Sequence, residues 1–412
     1  MAKYVPNWLP AVGAYMATAS ATSILWFTGF LQSIDLQVFD LLLNQFPKTT
    51  LKNSPTVVVG ITENDITDYG WPLDDIYLLK LFRKLDEAGV TVIGLDLYRN
   101  VGVGDGAEAL ANYSRNNPKV ISIFNVAEEI SSIPGLSKER QAFNDMPLDI
   151  DNVIRRNLVG VDIERFDLGP EYVSLPMRMI ELHQKYKKQE FNLPKLFKTG
   201  QIPTLLPNSG GYKQLDASGY QLLIDYARPG TIPTYSLGMI LRNEIRPKDL
   251  KGRMAVVGAT APSLKDEFAI PFSRFIKNSS NVLMSGAEIH AQRTNQLLTL
   301  QEGQPPAIRT LSPKWELAVV LIFAFGTALL IESSRHTLIG LAVVASGILF
   351  LTLGTILAFS MGWWIEIALP GVTTLATASV GWVRKAAAQQ YQKQLMQKLL
   401  GQSTSPAVAE EL

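Results

Sequence analysis

Four stretches of this 412-residue chain are almost free of charge, and they restrict how it can fold. The first covers 4–34, and three more follow Pro313 at 315–331, 337–360 and 363–383. About 20 apolar residues cross a bilayer as a helix, and inside hydrocarbon only a helix or a closed barrel satisfies its own backbone. Four transmembrane helices are therefore expected. "ATASA" in the first stretch resembles a signal-peptide cleavage site, but the apolar run continues through Ile24, Leu25, Trp26, Phe27 and Phe30. That continuation fits a retained anchor better than a cleaved leader. The connectors "ESSRHT" and "SMG" are short, so the last three helices must run antiparallel.

Orientation follows from the basic residues. Lys3, Arg335, Arg384 and Lys385 fall on one side of such an arrangement, and the uncharged 360–362 connector falls on the other. Loops rich in Lys and Arg stay in the cytoplasm. Both termini are then cytoplasmic, and 31–313 lies outside a plasma (inner) membrane crossed several times. Glu366 is expected at the outer interface, and "ALPGV" (368–372) is expected to kink the last span.

The remaining composition mostly excludes. A net charge of +1 gives no pull toward nucleic acid. The absence of cysteine removes disulfides, thiol nucleophiles and thiolate metal sites. With only His183, His290 and His336, no metal site is predicted. No Ser-His-Asp or similar set converges in the sequence, so no catalytic residue is assigned.

The 31–313 block alternates two patterns. "TVVVGI", "VTVIGLDLY", "KVISIFNV", "NVIRRNLVGV", "YQLLIDYA" and "RMAVVGAT" read as strands. "LDDIYLLKLFRKLDEAG", "VSLPMRMIELHQKY", "YSLGMILRN" and "AEIHAQRTNQLLTL" read as helices between them. Alternation of this kind predicts an α/β layered domain with a mainly parallel sheet, flanked by one N-terminal and three C-terminal transmembrane helices. The Lys-, Pro- and Gly-containing stretch 187–211 reads as an exposed excursion. The predicted organisation is 1–30 cytoplasmic N-terminus and first span, 31–313 extracytoplasmic α/β block, 314–383 three spans, 384–404 cytoplasmic helix, and 405–412 the start of a further domain.

Ligands of open parallel sheets bind at the C-terminal ends of strands. Asp96 ends one strand, and Asp266 follows another, which makes both ligand-binding candidates. Arg155 is the third, although pairing with acids such as Asp151 is the stronger reading of Arg155 and Arg156. "NVGVGDG" (100–106) mimics a dinucleotide fingerprint, but its G-x-G-x-G spacing departs from G-x-G-x-x-G, so it reads as an ordinary loop. Beyond the last span, Tyr391, Leu395 and Leu399 recur at helical spacing in "RKAAAQQYQKQLMQKLLGQ" and suit a parallel pair of helices.

Taken in order, "FDLLLNQFPK", "VVVGITEND" with "GWP", "GVTVIGLDLY", "DIDNVIRR", "LKGRMAVVGATAPSLKDEFAIPFS" and "GAEIHAQRTNQLL" resemble the type-2 CHASE sensory domain of bacterial receptors. The resemblance covers about 31–300, and three returning helices are usual in that family. Asn152 stands where the family usually has glycine. The final "GQSTSPAVAEEL" is similar to the opening of class III nucleotide cyclase domains of this architecture.

The resemblance implies a homodimeric receptor that recognises an unknown extracytoplasmic ligand and regulates a cyclase making cyclic AMP. Magnesium and ATP would belong to that cyclase domain, and no cofactor is expected in this chain. Tyr391, Leu395 and Leu399 would couple the two parts. A receptor with a protein kinase output and a membrane-anchored solute-binding protein are the alternatives.

Overall fold

The computed structural model describes residues 9–47, 53–125, 128–161, 172–275, 283–334 and 336–403. The expected start of a further domain at 405–412, and with it Lys3 and Arg335 of the charge pattern, lies outside the described residues. The chain divides into two compact units. One comprises Met1–Leu36, Asn208–Leu215 and Thr310–Leu412, and the other Gln37–Pro207 and Asp216–Arg309.

In chain order the first half contains α1 (Leu9–Thr28), α2 (Gln32–Gln45), β1 (Thr56–Ile61), α3 (Glu63–Tyr69), α4 (Asp75–Glu87), β2 (Val92–Asp96), α5 (Ala107–Asn116), β3 (Val120–Phe124), β4 (Gln141–Phe143) and β5 (Arg156–Gly160). The second half contains α6 (Leu175–Lys187), α7 (Leu193–Lys198), β6 (Tyr220–Leu223), β7 (Thr234–Ser236), α8 (Leu237–Leu241), α9 (Pro247–Leu250), β8 (Met254–Ala259), β9 (Glu267–Phe268), β10 (Met284–Ser285), α10 (Gly286–Gln301), β11 (Arg309–Thr310), α11 (Pro313–Ser333), α12 (Thr337–Ser360), β12 (Trp363–Trp364) and α13 (Ala368–Ser403).

The larger unit is built on a six-stranded sheet in the order β4-β3-β2-β8-β1-β7, with every pairing parallel. β1, β2, β3 and β8 are buried along their whole length, as their Val- and Ile-rich sequences require of strands covered on both faces. One core layer packs Leu78, Leu81, Phe82 and Leu85 of α4 against Val57, Val59, Ile93 and Leu95. The other packs Leu175, Met179 and Ile180 of α6 and Ala287, Ala291 and Leu298 of α10 against Val58, Val92 and Val256.

Two expectations change here, and two short strands are added. β5 and β6, read as strands of the main sheet, form a separate antiparallel pair. β4 and β7 join the sheet with three residues each, too short to leave a periodic signal. The 187–211 stretch is also less exposed than expected, because Leu193, Phe197 and Ile202 enter the core. They carry enough apolar surface to outweigh the polar residues around them.

The smaller unit holds the apolar helices. Among the described residues two helices are long and apolar enough to cross a membrane, Pro313–Ser333 and Leu338–Ser360, rather than the four expected. Helix α1 is diluted by Ala, Thr and Ser, and its Thr18 and Thr22 hydroxyls bond back to Ala14 O and Thr18 O at 3.0 Å. In α13 the charge-free part ends at Arg384, and the helix runs on without a break for 36 residues in all. No kink occurs at Pro370, because α13 begins only two residues earlier, in the turn where a proline N–H has no helical partner to lose. Past the apolar part, Arg384 pairs with Glu332. Lys385 Nζ donates to Ser334 O at 2.6 Å, and Tyr15 Oη donates to Glu332 at 2.7 Å. These contacts tie the end of α11 to α13 and α1.

Candidate functional site

The C-terminal ends of four adjacent strands converge on one polar cluster in the larger unit. β2 ends at Asp96 and continues to Tyr98, β3 leads to Asn125, β4 leads to Asn144, and β8 leads through a short turn to Asp266. Helix α10 adds His290 and Arg293. Its start is fixed by a capping box, in which Ser285 Oγ accepts from the Glu288 N–H and the Glu288 carboxylate accepts from the Ser285 N–H. The box accounts for Glu288 and leaves His290 and Arg293 facing inward, both fully buried.

A string of hydrogen bonds connects the strand ends. Asn125 Nδ2 donates to Tyr98 Oη at 3.3 Å, Tyr98 Oη donates to Asn144 Oδ1 at 3.1 Å, and Asn144 Nδ2 donates to Asp96 Oδ1 at 3.1 Å. The other Asp96 oxygen lies 3.7 Å from His290 Nε2, beyond hydrogen-bond range. That nitrogen is buried and has no hydrogen-bond partner. Arg293 fixes the base of the cluster, donating to Asn157 Oδ1 at 2.8 Å and Leu158 O at 2.7 Å.

Burial is the largest cause of the unusual titration here, and neighbouring charge reinforces it. The Asp96 carboxyl is pushed up to about 7 by burial and by the like charge of Asp266, and Asn144 only partly offsets this. Asp266 is raised by burial and then by Glu267. Burial and the Arg293 guanidinium hold His290 well below its ordinary value, so its imidazole is neutral. Burial lowers Arg293 only to about 10, which leaves it charged. The cluster therefore offers a carboxyl poised near neutrality, a neutral imidazole with one unsatisfied nitrogen, and a second carboxyl. Among the described residues no group of His, Asp and Glu is arranged to hold a metal ion.

The structure thus brings Asp96 and Asp266 together, and it places Arg155 in a different setting. Arg155 is fully buried, and all five of its N–H groups donate to carboxylates. Nε and Nη2 reach Asp40 at 2.7 Å, Nη1 reaches Asp149 at 3.0 Å, and Nη1 and Nη2 reach Asp151 at 2.8 Å. With no donor left for a ligand, Arg155 acts as the centre of an ion cluster, so its candidacy as a ligand contact is corrected to a structural role. Asn152, within the same turn, has φ of +61°, which explains the glycine usual there, and asparagine is among the few other residues that accept that conformation. The 100–106 loop is also accounted for. Val103 exchanges backbone and side-chain hydrogen bonds with Asp75 at 2.9 Å, and a Cβ on Gly104 or Gly106 would come within 2.0 Å of Asp74 or Ile76. These glycines let the loop pack on the start of α4 rather than on a phosphate.

Sequence reasoning missed Tyr98, Asn125, Asn144, His290 and Arg293. The three strand-end residues could have been found by asking which polar side chains follow each buried strand. His290 and Arg293 carried no such signal, since a helix buried on all sides shows no polar face.

A parallel α/β layer with a polar cluster at its strand ends, in a chain with apolar membrane-length helices, defines a membrane-linked binding domain. The CHASE2 domain matches residues 17–330, and the chain belongs to that family, whose members are sensory domains of signalling receptors. No curated protein and no solved structure matches the chain.

Proposed function

We propose that the chain is the sensing and membrane-spanning part of a receptor that regulates a cytoplasmic class III nucleotide cyclase making cyclic AMP. The observation that carries the sensing role is the convergence of Asp96, Asp266 and the unsatisfied His290 nitrogen at the strand ends of a CHASE2 domain. A small polar ligand would donate to the Asp96 and Asp266 carboxyl oxygens, and its binding would favour one of two arrangements of a homodimer. The size of that shift is limited by the difference in affinity for the two states. The cyclase assignment rests on the resemblance of "GQSTSPAVAEEL" to cyclase openings. Magnesium and ATP would be used there and not in this chain. We read α1 and the apolar part of α13 as two further spans, which gives four, with both termini cytoplasmic and the CHASE2 block outside.

The sensing role is tested by ligand screening on the whole chain in lipid nanodiscs. A ligand at about 1,000 times its dissociation constant adds about 4 kcal/mol of stability, a clear rise in melting temperature. The rise should vanish in Asp96→Asn and in Asp266→Asn. A rise of the same size in both variants would place the ligand elsewhere.

A further inference from the structure

The helical unit buries a second set of charges, distinct from the strand-end cluster. Its members come from four segments: Asp35 of α2, Lys213 of Asn208–Leu215, Glu316 of the first turn of α11, and Glu366 just before α13. The three carboxyl side chains are no more than 3% exposed. Lys213 Nζ meets Glu366 Oε2 at 2.6 Å and lies 4.8 Å from the Trp26 ring of α1. Glu316 Oε1 accepts the Gly210 N–H at 2.8 Å. Asp35 Oδ1 accepts the Ile367 and Ala368 N–H groups at 2.8 and 3.0 Å, so its carboxyl caps α13. Glu316 Oε2 and Glu366 Oε1 are buried without a hydrogen-bond partner.

Three ionised carboxylates around one ammonium would leave two uncompensated negative charges out of water. Burying even one unpaired charge is so costly that the group takes up a proton instead. An unpartnered carboxylate oxygen is where such a proton can sit. We infer that Asp35, Glu316, Glu366 and Lys213 form a proton-binding site that holds at least one proton at neutral pH and loosens the Asn208–Leu215 segment when it is lost. The segment is closely fitted, which is why proton loss should show there. A Cβ on Gly211 would come within 2.3 Å of Asp35 Cβ, and one on Gly210 within 2.6 Å of the Trp364 ring.

Asp35 reports on the charge of the set, because it feels the repulsion of Glu366 and the attraction of Lys213. Burial, followed by the opposing effect of the Ala368 N–H and the repulsion of Glu366, leaves it at about 7, up from 3.8. A carboxyl raised in the folded state contributes stability while protonated and loses it as pH rises from about 4 through about 7. Protonation keeps the cap, since a carboxylic acid still has an oxygen that accepts.

The test uses the whole chain in nanodiscs, carrying Asp96→Asn and Asp266→Asn so that the two strand-end carboxyls do not contribute. Infrared absorption of protonated carboxyl groups should persist at about pH 6, where ordinary carboxyls near 4 are ionised. It should decline with a midpoint near 7. Asp35→Asn should remove that component or lower its midpoint, since it takes one negative charge from the set, and Lys213→Met should raise the midpoint by about 1 unit or more. The reactivity of a cysteine at Ser209, relative to one at exposed Thr199, should rise several-fold across the same interval and stay flat in Asp35→Asn. Absence of the band at about pH 6, an unchanged band in both variants, or a midpoint that follows sodium or magnesium concentration would overturn the inference.

Discussion

Single residues in this protein act through what they would leave behind if removed. Arg155 satisfies Asp40, Asp149 and Asp151 together, and the first two are inaccessible to solvent. Arg155→Leu should therefore cost about 3–5 kcal/mol in denaturation of the whole chain, because the buried Asp40 loses its two-pronged partner, whereas Asp149 keeps Arg156 and Asp151 keeps Arg274. A cost below about 1 kcal/mol would mean that water reaches the cluster. Asp96 gives a different signature. Its carboxyl rises from 3.8 to about 7 on folding, so its contribution is present in acid and fades as pH rises between those values. Asp96→Asn should flatten that part of the pH profile of melting temperature, and an unchanged profile would show that Asp96 stays ionised. Asn152→Gly should be close to neutral, whereas Asn152→Ala should cost about 1–2 kcal/mol at φ +61°.

Among the elements, the long ones were legible in the sequence and the short ones were not. β1, β2, β3, β8, α4 and α6 each left a clear apolar pattern, and each lies where that pattern placed it, as does α10, whose pattern is weaker. β4 and β7 depend on neighbours supplied by the fold, and the pairing of β5 with β6 depends on chain geometry that no local pattern records. The two strand-end carboxylates of the candidate site were legible for the reason that makes strand ends useful. The pairing of Arg155 with Asp151 was legible from their spacing, but Asp40, which lies 115 positions away, was not. Glu366, expected at the outer interface, is buried and pairs with Lys213, another pairing between distant parts of the chain that no local pattern records.

Helix α13 carries its own prediction. It continues unbroken from apolar residues into 384–403, where Tyr391, Leu395 and Leu399 are exposed. If it transmits the state of the sensor through a paired helix, phase matters. Two residues inserted after Gln394 rotate everything downstream by about 200°, whereas seven nearly restore the face. In the chain joined to the class III cyclase domain proposed as its output, cyclic AMP production should be strongly disturbed by two residues and recover with seven. Equal output from both insertions and the unaltered protein would remove α13 from the coupling.

At the scale of the whole molecule, we propose a CHASE2 sensor outside the membrane, anchored by apolar helices whose charged ends are cytoplasmic. Everything proposed for ligand, proton and output depends on that sidedness. The chain has no cysteine, so one introduced thiol reports without background. Thr199 closes α7, is exposed, and belongs to the larger unit. The decisive measurement is the labelling of Thr199→Cys by a membrane-impermeant maleimide, before and after cell lysis, in cells whose outer layers are permeable to the reagent. The account predicts full labelling in intact cells with no increase on lysis. Labelling that occurs only after lysis would put the sensor in the cytoplasm and contradict it.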